Sequence, residues 1–83
     1  MYKNRSRDGR NNIAGINIER LRKSLKNKTS QREFAEILQR EGLDVDKNMI
    51  QRIESGARFI TDIELRVIAD VLNVTCDDLL TSQ

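Results

Sequence analysis

Three times within 83 residues a hydroxyl side chain is followed three positions later by an acid: Ser30 with Glu33, Thr61 with Glu64, and Thr75 with Asp78. Each pair has the spacing of a capping box. The hydroxyl accepts from a free N–H of the first helical turn, and the acid reaches back to the N–H of the cap. Two of the boxes are flanked by apolar pairs at the spacing of a hydrophobic staple, Ile60 with Leu65 and Val74 with Leu79. The stops agree with the starts. Gly42 follows the apolar run Phe34, Ala35, Ile37 and Leu38, and Gly56 follows Met49, Ile50 and Ile53. Both stand where a helix C-terminus favours a left-handed residue. An all-α fold is expected.

Apolar spacing fills in the helices. Ala14, Ile18, Leu21 and Leu25 form one stripe of a first helix from about Asn12 to Lys26, with Gly15 blurring its start. The Ser30 box opens a second helix that runs toward Gly42, and a third spans about residues 46–55 with Asp46 as its cap. The Thr61 box opens a fourth, about Asp62 to Leu72, burying Leu65, Ile68, Ala69 and Leu72; the Thr75 box opens a short last one. Phe34 and Phe59 are expected in the core. No strand pattern and no repeat is present.

What the chain lacks narrows its function. At 9.6 kDa it makes one small domain, with little material for a deep catalytic pocket. It has no His, which removes the commonest general base and metal ligand, and its one Cys excludes an internal disulfide or a cysteine zinc cluster. No catalytic residue, metal or cofactor is therefore expected, and the chain does not read as an enzyme. Cys76 stands beside a helix cap with no His to activate it, so its role is structural or incidental. Asp77 and Asp78 diverge on a helix, and Thr75 already accounts for Asp78. No apolar run approaches the roughly 18 residues that span a bilayer. Met1 to Gly9 hold no signal-peptide core, so a cytoplasmic, nucleoid-associated location is expected.

The net charge of +2 conceals an asymmetry. Residues 1–42 carry eleven Lys and Arg against five acids, a net +6; residues 43–83 carry four against eight, a net −4. This suits either a basic face for a polyanion or an ordinary solvated surface with a basic tail. The tail is residues 1–11, an arm without periodicity that holds Lys3, Arg5, Arg7 and Arg10. It can lie along DNA phosphates or in a minor groove, or serve only solubility.

The third helix is the most informative element. At about 100° per residue from Lys47, Gln51 falls near 40°, Ser55 near 80°, Asn48 near 100° and Arg52 near 140°. Met49, Ile53 and Ile50 fall on the other side, at about 200–300°. The outward face carries long donors and amides and no carboxylate, whereas the second helix mixes in Glu33, Glu36 and Glu41. Asn and Gln can bond adenine in the major groove, and Lys and Arg can bond guanine. On these residues alone, a merely solvated face is the alternative.

Taken in order, Ile18 to Lys23, Ser30 to Ala35, Val45 to Gly56, Leu65 to Val74 and Asp77 to Leu80 resemble the lambda-repressor-like helix-turn-helix family of Cro and phage-repressor type. The likeness covers about residues 13–81. It implies a compact five-helix DNA-binding domain over residues 12–83, its second and third helices forming the helix-turn-helix. It implies base reading by Lys47, Asn48, Gln51 and Arg52. Gln31 matches a position that touches phosphate and buttresses the recognition helix, and Arg32, Ser55 and Arg58 match phosphate-gripping or positioning positions. Glu54 matches an acid paired with a basic residue of the first helix, for which Arg22 is the candidate.

Two segments depart from the family pattern: the turn at residues 39–44 and the loop at residues 25–29 are both longer than usual. The resemblance implies a transcription regulator, a repressor above all, whose partner is an operator in double-stranded DNA. A homodimer is expected, at least on DNA, either through the last helices or only on the duplex. Leu79 and Leu80 serve that interface or pack on the core. The alternative function is a protein-interaction module, an antitoxin or antirepressor partner, for which the acidic half gives some footing. Three aromatics, Tyr2, Phe34 and Phe59, make no stacking platform for single strands.

Overall fold

Ser30, Thr61 and Thr75 each cap a helix, and in all three the acid returns the bond. Glu33 N–H donates to Ser30 Oγ at 3.1 Å, Glu64 N–H to Thr61 Oγ1 at 3.2 Å and Asp78 N–H to Thr75 Oγ1 at 3.1 Å. The return bonds from the cap N–H groups are 3.0, 3.0 and 2.9 Å. The computed structural model describes residues 8–81 and shows α1 (Gly15–Ser24), α2 (Gln31–Arg40), α3 (Lys47–Ser55), α4 (Asp62–Leu72) and α5 (Cys76–Leu80). No strand occurs among the described residues. The fold is all-α, as the boxes lead one to expect, and the described residues form the five helices that the resemblance implies.

The first helix is shorter than its apolar stripe. Asn12 does not begin α1; it lies two residues before the N-cap Ala14, with its Oδ1 accepting from Gly15 N–H at 2.8 Å. At the far end Leu25 leaves the helical region, and Asn27 and Lys28 adopt left-handed φ of 68° and 49°. Gly42 and Gly56 are left-handed at φ 97° and 85°, so α2 and α3 stop where expected. The long turn between them is pinned, because Gln39 Nε2 donates to Val45 O at 2.6 Å and Val45 is buried.

One core collects residues from every helix, with Ile18, Phe34, Leu38, Ile50, Ile53, Ile68 and Leu79 fully enclosed. The four staple residues pack in or against it. The recognition-helix candidate α3 packs chiefly on α2 and α1. A Cβ at Gly15 would collide with the Ile53 carbonyl, so only glycine permits so close an approach of α1 to α3. Phe59, expected in the core, is instead 54% exposed. It lies in the loop between α3 and α4, outside the helical periodicity that carries apolar side chains inward.

Glu64 does more than cap. Arg58 donates to both its oxygens at 2.9 Å, and this pairing, aided by the capping bond from Thr61, holds the carboxyl below its ordinary value of 4.5. Capping bonds lower Glu33 and Asp78 likewise. A carboxyl whose folded pKa lies below its unfolded one stabilises fully above the unfolded value and loses that contribution as pH falls through the folded one. With no His in the chain, the thermal midpoint is expected to be flat from about pH 7 to 5 and to fall below about 4.5. Thermal melts of Glu64→Gln should show a shallower acid limb.

Candidate nucleic-acid interface

Inward and outward sides of α3 are cleanly separated. Ile50 and Ile53 are buried and Met49 is half-buried, while Lys47, Asn48, Gln51, Arg52 and Ser55 are all exposed. Asp46 caps the helix, its Oδ1 accepting from Met49 N–H at 2.9 Å. Ser55 Oγ donates to the Arg52 carbonyl at 3.2 Å. No hydrogen bond or ion pair within the described residues engages the side chains of Lys47, Asn48, Gln51 or Arg52. These donors are free for a ligand.

The one acid of the helix is turned away from that face. Glu54 is 5% exposed, and Arg22, at 7%, meets it with Nε at 2.6 Å and Nη2 at 2.9 Å. Gln31 Nε2 donates to Glu54 Oε1 at 2.9 Å, and Arg22 Nη1 donates to Thr29 O at 2.9 Å. The long loop before α2 therefore completes the cluster with a carbonyl. Bonding to Glu54 more than offsets burial and raises the Arg22 pKa above the ordinary arginine value. Gln31 thus links the start of α2 to α3. Its neighbour Arg32 is exposed.

Arg58, the other expected phosphate contact, has partners within the chain. Its guanidinium is spent on Glu64 and on the Phe59 carbonyl at 3.1 Å, and it is only half-exposed. The acid six residues on is itself held in the Thr61 box. The basic arm falls mostly on residues 1–7, outside the described residues. Its last two members do not match an unfolded tail, because Arg10 and Asn11 are hydrogen-bonded to the C-terminal end of α3. Spacing offered no sign of this, since the acceptors are main-chain carbonyls more than 40 residues away.

Helices α2 and α3, joined by a pinned turn and buttressed through Gln31 and Glu54, form a helix-turn-helix with an unengaged polar face. Residues 18–79 match the family model described as helix-turn-helix, of Cro-type lambda-repressor-like domains. The chain belongs to that family and is a DNA-binding helix-turn-helix regulator. No match was found among curated proteins or solved structures. No helix among the described residues is long and apolar enough to cross a membrane.

Proposed function

We propose that the protein is a sequence-specific regulator of transcription that represses by occupying an operator in double-stranded DNA, with α3 in the major groove. The observation that carries this is the set of free donors on α3. Arg10, Arg22 and Arg58 are each engaged within the chain, whereas Lys47 and Arg52 have no partner among the described residues and stand beside the amides of Asn48 and Gln51. Side chains of these types match the base edges of the major groove. Gln31, Arg32 and Ser55 are assigned to phosphates, where the first-turn N–H groups of α2 add donors that lack helical partners. Arg58 is left out of the contact set because Glu64 neutralises it.

A single domain covers one half-site, and a two-fold homodimer on half-sites about 34 Å apart would supply affinity. Leu79 is enclosed in the core, while Leu80 is 41% exposed and lines a shallow groove of about 200 Å³ with Ile13 and Phe59. This apolar rim is the surface assigned to the second copy. It is also where a different protein would dock under the protein-interaction reading. The regulator acts in the cytoplasm, at the nucleoid.

The test is an amide chemical-shift titration with a random-sequence duplex at low salt. Shifts should concentrate on residues 30–32 and 46–55. Largest shifts on α4 and α5 would count against the reading.

A further inference from the structure

The segment before α1 grips the far end of α3. Arg10 Nη2 donates to Glu54 O at 2.7 Å, and Asn11 donates its N–H to Gly56 O at 2.8 Å and its Nδ2 to Ala57 O at 3.1 Å. Asn12 Nδ2 donates to both Ile53 O at 3.0 Å and Arg58 O at 2.7 Å. Three consecutive residues thus donate to carbonyls at and just beyond a helix C-terminus, where helical partners run out; of these carbonyls Ile53 O also accepts from Gly56 N–H at 3.1 Å. The Arg10 cation also sits at the negative end of the helix dipole. Gly56 is its seat: a Cβ there would come within 2.8 Å of the Arg10 guanidinium.

We propose that Arg10, Asn11 and Asn12 form a strap that holds the last turn of α3, making them positioning residues for DNA binding. Asp46 fixes the first turn of α3, and the strap fixes the turn that carries Gln51, Arg52 and Ser55 toward the duplex. The inference rests on the reading of α3 as the DNA-contacting helix.

Asn12→Asp separates the strap from the rest of the fold. It keeps the oxygen that accepts from Gly15 N–H and sets a carboxylate oxygen, in place of the amide donor, against the carbonyls of Ile53 in α3 and Arg58 beyond it. Arg10→Met removes the second clamp while preserving the aliphatic stem over Gly56. Asn17→Asp is the matched control. Asn17 Nδ2 makes the same kind of clamp on α5, donating to Leu79 O at 2.9 Å and Thr81 O at 2.8 Å.

The readouts are amide exchange at Gly56, Ala57 and Arg58, whose N–H groups close the end of α3, and binding to a duplex selected from a random pool. Asn12→Asp and Arg10→Met should each speed that exchange and weaken binding by about tenfold or more, on the scale of one to two lost hydrogen bonds. Asn17→Asp should lower the thermal midpoint and change neither. Unchanged exchange at residues 56–58, or an equal loss of binding in Asn17→Asp, overturns the strap. If the unaltered protein selects no duplex, the DNA reading fails, and the exchange arm still decides the strap.

Discussion

Glu54→Ala is expected to destabilise the domain by about 3–5 kcal/mol, the usual cost of stranding a buried charge. Its carboxylate accepts from Arg22 twice and from Gln31 once. Without it, the Arg22 guanidinium stays buried with only the Thr29 carbonyl to answer it. Small domains are stable by about 5–15 kcal/mol in all, so this one change takes much of the margin. Urea unfolding followed by circular dichroism should show a lower midpoint at an unchanged slope. Arg22→Met with Glu54→Leu should recover most of the loss, because both charges leave together. A loss below about 1 kcal/mol in Glu54→Ala would mean that the pair behaves as a surface bridge.

Asn48→Ala combined with Gln51→Ala should do the opposite: stability unchanged and specific DNA binding removed. Both side chains are exposed and unengaged, so the stability effect should stay within about 0.5 kcal/mol. Binding to a selected duplex should weaken by about 2–6 kcal/mol, one to three for each amide that loses its base edge. Fluorescence anisotropy against salt separates this from a charge effect. The variant removes no cation, so the slope of log K against log salt should remain that of the unaltered protein. Arg52→Ala should instead lower affinity and slope together. A loss of less than threefold in the double variant would show that the amides read nothing. Under the protein-interaction reading the variant would leave partner binding intact.

The parts of this fold that were legible in the sequence are those whose partners lie close along the chain. Ser30, Thr61 and Thr75 meet their acids three residues away, so the boxes could be read without any tertiary information. The division of α3 into two faces needed only helical period. Arg22 and Glu54 lie 32 residues apart, and only the family resemblance pointed to their pairing.

What was missed is tertiary and mostly main-chain. Asn12 and Asn17 look like ordinary polar residues of a first helix, yet each gathers carbonyls at the end of another helix. Main-chain acceptors are present at every residue, so no side-chain pattern marks them. Phe59 is apolar but lies in a loop, where composition alone says nothing of direction. The resemblance alone implies a backbone-gripping role for Arg58, and nothing in it marks the pairing of that guanidinium with Glu64.

The central claim is that the free face of α3 reads base sequence. Selection of bound duplexes from a random pool at physiological salt, run in parallel on the unaltered protein and on Asn48→Ala with Gln51→Ala, tests it most directly. The account predicts an enriched motif for the unaltered chain, arranged as two half-sites about one helical turn apart, and no enrichment for the variant. No enriched motif for the unaltered chain, or the same motif for both, would contradict it.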